Sequence, residues 1–246
     1  MYVFKKSGFL CIIATILLVV FCGIFVGYLF NQNSVKQSSG KPYVLVIDAG
    51  HGGIDGGVSG RVTNVKESDL NLKISKKLSD IASNSIFDTV LTRKTADGLY
   101  GVATKGFKQK DMKKRAEIIT NSGANFVISI HQNKFSDASR RGIQVFYSDN
   151  ENNTTEKFAI HMQNYLNNQL NLPTINRTFN AQKGDFFIVK CSRIPTIIIE
   201  CGFLSNSEDE KLLIDNKYQD KLVANILSGL ISFINEINET KMNDNT

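Results

Sequence analysis

Prolines and cysteines are scarce in this sequence. Three prolines among 246 residues exclude a proline-rich linker protein, and four cysteines exclude a disulfide-dense scaffold. No segment is repeated at the period of about 20 to 50 residues that is typical of solenoids. Hydrophobic residues make up 42% of the chain and charged residues 21%, so the chain is not disordered throughout. Its length suits one globular domain in addition to a short N-terminal segment.

The sequence also lacks a basic stripe, although its net charge is +6 at pH 7. The lysines are scattered over several predicted helix faces, where they are expected to be solvated. No nucleic-acid-binding motif is present. We therefore predict no nucleic-acid partner.

Residues 8–30 contain no charged side chain and are long enough to cross a bilayer as a helix. Lys5 and Lys6 precede this run and no Lys or Arg follows before Lys36, which predicts a cytoplasmic N-terminus and an extracytoplasmic remainder. A cleaved signal peptide and a lipidated Cys22 are the alternatives. The segment lacks a small-residue cleavage site and continues as an apolar run past Cys22, so we favour an uncleaved anchor. The predicted organisation is a cytoplasmic stub (1–7), a transmembrane anchor (8–30), a linker (31–41), a single folded domain (42–237) and a polar tail (238–246).

Two cysteines, Cys191 and Cys201, lie in the predicted domain. They could form one disulfide outside the cell, but two buried free thiols are the favoured interpretation. Neither has the Cys-x-x-Cys spacing of a redox or structural zinc site.

Short apolar runs alternate with helical patterns along the domain. Strands are predicted at 43–47, 88–92, 125–131, 142–147 and 195–200, and helices at 67–83, from Asp111 onward, at 154–170, after a Ser207 cap and at 218–237. Residues 186–189 fit either a strand or a helical turn. This alternation predicts a single α/β domain with a mostly parallel twisted sheet flanked by helices, preceded by one transmembrane helix.

Sites in such sheets form at the carboxyl ends of the strands. His51 follows the first predicted strand, His131 ends the third, and Glu200 ends the strand PTIIIE, while Glu67 begins a helix. Two imidazoles and one carboxylate suit zinc, and a second carboxylate can move a proton. The spacing leaves open which glutamate binds the metal. Ordinary polar roles for these residues also remain open.

A phosphate cradle in the glycine-rich segment around His51 is a further alternative. The dinucleotide fingerprint fails, however, because Asp55 stands where its third glycine belongs. No Gly-Lys-Ser/Thr follows, so a P-loop is also excluded. Spacing alone indicates no more than a metal hydrolase.

Five ordered blocks carry a resemblance to a known family. They are VLVIDAGHGGIDGG, VKESDLNL, TVLTR, DMKKRAEIITNSGANFVISIHQN and PTIIIECGFLSN. In these blocks the sequence resembles the zinc-dependent N-acetylmuramoyl-L-alanine amidases of bacterial cell walls. The resemblance implies one Zn²⁺ per chain with His51, Glu67 and His131 as ligands, and Glu200 as the catalytic carboxylate.

Further residues match family positions. We interpret Asp111 and Arg115 as a helix cap and an (i, i+4) pair. Asn133 is a candidate for orienting His131 or the substrate, and Asp48 for supporting the ligands.

The activity that the resemblance implies is hydrolysis of the amide between the lactyl group of N-acetylmuramic acid and L-alanine of the stem peptide. One anchor and a bare catalytic domain resemble the family members of spore cortex maturation. This resemblance implies a role in making muramic-δ-lactam, by removing peptides from muramic acid before a deacetylase acts, in the forespore intermembrane space. The implied partners are peptidoglycan, the membrane through the N-terminal helix, and an accessory extracytoplasmic protein. A zinc peptidase acting within the stem peptide and a non-catalytic wall-binding protein are the alternatives.

Overall fold

Strands and helices alternate along the chain in the computed structural model, which describes residues 40–148 and 153–243. The predicted anchor and nearly all of the predicted linker lie outside these ranges. Within them, no helix combines the length and the apolar character that a membrane crossing requires. The strands are β1 (Tyr43–Ala49), β2 (Phe87–Leu91), β3 (Phe126–Asn133), β4 (Gln144–Tyr147), β5 (Gln182–Lys183) and β6 (Thr196–Phe203). The helices are α1 (Glu67–Ser83), α2 (Phe107–Thr120), α3 (Asn153–Leu166), α4 (Leu172–Ile175), α5 (Phe187–Lys190), α6 (Ser207–Ile214) and α7 (Asn216–Asn243), and a π-helical turn (Asn167–Asn171) joins α3 to α4.

The six strands of the described ranges form one sheet in the order β2-β1-β3-β6-β4-β5. Four of its five pairings are parallel and the β4–β6 pairing is antiparallel, so β4 and β5 run opposite to the other four strands. The α/β class is confirmed, but the sheet is mixed. The reason is the loop between β3 and β4, since it lacks the crossover helix that usually brings a strand back parallel.

The side chains of β1 alternate between two hydrophobic cores. Leu45 and Ile47 belong to the larger core, which contains buried residues of α1, α3 and α7. Val46 belongs to a smaller core on the opposite face, together with residues of α2 and α5. Helices thus cover both faces, as predicted for a doubly covered sheet. The smaller core covers less of the second face of the sheet. A cavity therefore opens on that side, at the carboxyl ends of β1, β3 and β6.

Three helix boundaries differ from the predictions. Asp111 does not cap α2, because the helix begins four residues earlier and Asp111 lies within it. Asn206, not Ser207, caps α6, since its side chain accepts hydrogen bonds from the backbone N–H groups of Glu208 and Asp209. The last helix continues to Asn243, past the predicted end at residue 237.

Cys191 and Cys201 are both free thiols, as predicted, but only Cys201 is buried, whereas Cys191 is half-buried. Cys201 belongs to the larger core, and Cys191 packs against the smaller one on the other face. The two side chains therefore contribute to packing on opposite sides of the sheet. The ambiguous segment around residue 188 is the helical turn α5.

Candidate metal and catalytic site

Two buried arginines hold the loop that follows β1. Arg115 donates to the carbonyl oxygens of Ala49 at 2.7 Å and His51 at 2.5 Å. Arg93 donates to the carbonyl oxygens of Ala49 at 2.9 Å and Gly50 at 3.0 Å. Consecutive carbonyl groups are thus bound by charged donors, which make strong hydrogen bonds. They fix His51 in a left-handed conformation, with φ of 60°, that few non-glycine residues adopt.

Asp48 compensates the charge of Arg115 beneath this loop. Its Oδ1 accepts from Arg115 Nη1 at 2.6 Å and from Thr92 Oγ1 at 2.7 Å, and its Oδ2 accepts from Ser129 Oγ at 2.6 Å. Burial alone would raise the pKa of Asp48, but the Arg115 guanidinium and the two hydroxyl groups outweigh burial and lower that pKa to about 2. The predicted (i, i+4) pair is also present, with Arg115 Nε at 2.6 Å from Asp111 Oδ2. Asp48 therefore supports the loop of His51 through Arg115.

Glu67 brings the two candidate histidines together. It is the first residue of α1, and its Oε1 lies 2.9 Å from His131 Nδ1 and 3.2 Å from His51 Nε2. One ligand atom from each of the three residues lies within 4.8 Å of the other two. Burial would raise the pKa of Glu67, but hydrogen bonds from both imidazoles lower it, so the carboxylate is charged.

Several donors fix the orientation of the Glu67 carboxylate. Asn71 Nδ2 and the backbone N–H of Gln132 each donate to Oε1 at 3.2 Å. The backbone N–H of Val58 donates to Oε2 at 2.9 Å. Asn71 is itself held by Gln132 Nε2 at 3.1 Å. The carboxylate is thus positioned by groups from the loop, the helix and β3.

The histidine rings are oriented in different ways. Asp55 Oδ2 lies 3.0 Å from His51 Nδ1, which leaves Nε2 of the same ring facing Glu67. His131 instead packs directly over Gly50, where an added Cβ would lie 2.3 Å from the ring. A side chain at position 50 would therefore push His131 out of place.

Glu200 lies beside this cluster on β6, where it pairs in register with His131. Its Oε2 is buried and has no hydrogen-bond partner among the described residues. Burial, reinforced by the charge of Glu67 and opposed by the histidines, raises the pKa of Glu200 to about 7. An oxygen in this state is suited to exchange a proton with a bound molecule.

A cavity of about 490 Å³ opens in front of these groups. Its lining includes the four predicted residues His51, Glu67, His131 and Glu200, with Asp48 and Asn133. Asn133 donates from Nδ2 to Gln144 Oε1 at 3.1 Å, so the structure connects it to β4. The third histidine, His161, pairs with Glu236 at 2.8 Å and takes no part in this cluster.

Sequence reasoning did not find the residues that support Glu67 and His51. Asn71 stands four positions after Glu67 on the same helix, a spacing that places both side chains on one face and was a usable signal. In the sequence, Asp55 stands out only as the residue that breaks the dinucleotide fingerprint. Gln132 carried no signal, because only the fold brings its backbone to Glu67.

An α/β fold with a cavity that joins two imidazoles and two carboxylates is typical of hydrolases, and comparison with known proteins identifies the family. Residues 45–232 match the family described as N-acetylmuramoyl-L-alanine amidase (Amidase_3), and the chain belongs to this family. It is thus an amidase that acts on peptidoglycan.

Several characterised members of the family are similar to this chain over most of its length. The chain is 31% identical over 221 residues to the germination-specific N-acetylmuramoyl-L-alanine amidase of Bacillus subtilis, which covers 85% of this chain and 90% of the relative. The structure of the CwlD amidase from Clostridioides difficile in complex with the GerS lipoprotein has a TM-score of 0.72 and 34% identity, covering 78% of this chain and 98% of that one. AmiA of Escherichia coli is 27% identical over 251 residues, covering 86% of this chain and 82% of that enzyme.

Asp48 should make stability depend on pH in a defined window. Its pKa of about 2 in the folded state lies below the value of about 3.9 expected for an unfolded chain. Its charge therefore stabilises the fold above about pH 4, and this contribution disappears as the pH falls toward 2. Between pH 5 and pH 2, the difference in free energy of unfolding between the parent and Asp48→Asn should narrow by about 2–3 kcal/mol.

Urea unfolding in the presence of a chelator measures this difference. Asp80→Asn changes an exposed aspartate and serves as the control, which should track the parent over the whole range. A constant gap between the parent and Asp48→Asn would contradict the role given to the Asp48–Arg115 pair.

Proposed function

We propose that the chain is a zinc-dependent N-acetylmuramoyl-L-alanine amidase in which His51, Glu67 and His131 hold the metal and Glu200 transfers protons. The observation that carries this proposal is the convergence of the three ligand atoms within 4.8 Å. Two imidazoles and one carboxylate form a donor set of the kind that catalytic zinc sites use. The resemblance of the sequence to zinc-dependent amidases adds to this support.

The surroundings of the triad also fit a bound cation. Both imidazoles direct a nitrogen at the same oxygen of Glu67, and no Lys or Arg side chain of the described residues is paired with that oxygen. His51 Nε2, Glu67 and His131 Nδ1 would bind the ion. A zinc ion in such a site polarises a carbonyl group and lowers the pKa of water.

Glu200 then has two proton transfers to perform. Its carboxylate takes a proton from the water whose oxygen attacks the lactyl carbonyl carbon. The carbon–nitrogen bond breaks as Glu200 returns that proton to the nitrogen of L-alanine. The products are a muramic carboxylate and a free amine on the stem peptide. The buried, unpartnered Oε2 is positioned to serve in both steps.

Replacement of Glu200 separates metal binding from proton transfer. Glu200→Gln keeps the size of the side chain but removes the base. We expect zinc content equal to that of the parent and a loss in kcat of about 100-fold or more. Mass spectrometry of digested peptidoglycan should show new muramic carboxylates and intact stem peptides with the parent enzyme. A variant with the parental rate would contradict the role of Glu200, and cuts within the stem peptide would favour a zinc peptidase.

Gly50 tests whether the position of His131 determines metal binding. An added methyl group at position 50 would lie 2.3 Å from the His131 ring, so Gly50→Ala should displace this ligand. We expect zinc affinity to fall by about 10-fold or more, measured by competition with a chromogenic chelator.

Gly56→Ala is the matched control in the same loop. Neither glycine has a left-handed backbone, and a Cβ at position 56 would lie no closer than 3.4 Å to the flexible Lys66 side chain. Zinc affinity should therefore stay within about twofold of the parent. Equal losses in both variants would indicate a general effect on the loop.

We also propose that the enzyme acts on spore cortex. The similarity to the germination-specific amidase of Bacillus subtilis and to CwlD of Clostridioides difficile supports this role. In a B. subtilis strain that lacks its germination-specific amidase, the full chain should restore muramic-δ-lactam to the cortex, and Glu200→Gln should not. Chromatography of cortex digests measures the lactam. Spores without lactam, despite amidase activity in extracts, would contradict the cortex role.

The anchor and an accessory protein complete the proposal. We place the catalytic domain outside the cytoplasm, tethered by residues 8–30, whose apolar character and flanking lysines support this arrangement. The structure of CwlD in complex with the GerS lipoprotein supports an extracytoplasmic partner for this chain. The purified full chain should therefore cleave isolated cortex slowly by itself. Full activity at catalytic amounts without an added protein would argue against the partner.

A further inference from the structure

Two consecutive phenylalanines that line the cavity are more exposed to solvent than most large apolar side chains of the domain. Phe186 is 40% exposed and Phe187 is 50% exposed, and both line the cavity that contains Glu200. We refer to these two rings as the aromatic ledge. Adjacent large apolar side chains that face water beside a site are typical of a binding surface.

The residues that follow the aromatic ledge in α5 are buried and hold it in place. Ile188 and Val189, the next residues of α5, are buried in the smaller core. The rings are therefore attached to a fixed support, which reduces the entropy lost on binding.

Phe186 is also fixed by its neighbours. Its ring packs edge-on against Phe146 of β4, with ring centroids 5.6 Å apart. It lies over Gly184, where an added Cβ would approach the ring to 2.2 Å. The conformation of the ledge thus depends on a glycine that allows the ring to lie over the backbone.

The residues of α2 that line the same cavity are of mixed character. Phe107 and Met112 are apolar, but Lys108 lies between them in the sequence, with its ammonium group 3.3 Å from Asp55. The substrate has two arms on either side of the cleaved amide. One is a sugar ring with an uncharged face of C–H groups, and the other is a peptide that carries carboxylates. The uncharged ledge suits the sugar, and the charged groups suit the peptide.

We propose that the aromatic ledge binds the glycan strand by stacking Phe187, supported by Phe186, against the face of a pyranose ring. The partly positive C–H groups of such a face are attracted to the negative face of an aromatic ring. This assignment rests on the proposed function, since it places the glycan arm of the substrate in the same cavity. It adds a specificity-determining contact that involves neither the metal ligands nor Glu200.

Calorimetric titration of the full chain tests the ledge without turnover. The probes are a peptide-free tetrasaccharide of alternating N-acetylglucosamine and N-acetylmuramic acid, and a free stem tripeptide. We expect Phe187→Ala to weaken tetrasaccharide binding by about 10-fold and to leave tripeptide binding within about twofold. With intact substrate, the same variant should raise KM and leave kcat nearly unchanged.

Phe135→Ala is the matched control, since Phe135 is 42% exposed and does not line this cavity. It should leave the binding of both probes unchanged. A Phe187→Ala protein that binds the tetrasaccharide like the parent would overturn the proposal, and so would one that loses only tripeptide binding. Failure of the proposed function is distinguishable, because a protein without amidase activity can still show the selective loss of sugar binding.

Discussion

The carboxylate of Glu67 is the point on which the rest of the site depends. One of its oxygens faces both His51 and His131, which come from different strand ends. The backbone N–H groups of Val58 and Gln132 and the side chain of Asn71 hold that carboxylate from three sides. Without these donors, a buried carboxylate would lose the hydrogen bonds that compensate its desolvation. The charged carboxylate that both histidines face is therefore stabilised by groups from the loop before α1, from α1 itself and from β3.

The sequence pattern predicted the elements that carry the site. The bounds of α1 and the apolar runs of β1, β3 and β6 follow from hydrophobic periodicity, which is strong in segments buried in a sheet. Helix ends were harder to predict, because several polar residues can cap a helix. At α6 the side chain of Asn206 accepts the backbone hydrogen bonds, although Ser207 is an equally good candidate by residue type. The prediction of a mostly parallel sheet did not say which strand would be antiparallel. The direction of β4 depends on the loop that precedes it, and residue type does not reveal the path of that loop.

The candidate site was predictable in part. Strand-end positions identified His51, His131, Glu67 and Glu200 as a group, but spacing could not assign the two glutamates different roles. The resemblance to the amidase family implies that Glu67 binds the metal and that Glu200 is the catalytic carboxylate. In the structure, Glu67 lies between the two histidines and Glu200 pairs in register with His131. The clamp of Arg93 and Arg115 on the loop after β1 was beyond sequence reasoning. The two arginines donate to backbone carbonyl groups, and every residue type has such a group. The sequence therefore cannot show which carbonyls accept these hydrogen bonds.

X-ray absorption spectroscopy of the zinc-loaded full chain tests the central claim most directly. We expect a zinc shell of nitrogen and oxygen only, with the multiple-scattering pattern of two imidazoles, and the loss of one imidazole signal in His131→Ala. A sulfur neighbour of the zinc would contradict this assignment of the ligands. So would a spectrum with no imidazole pattern.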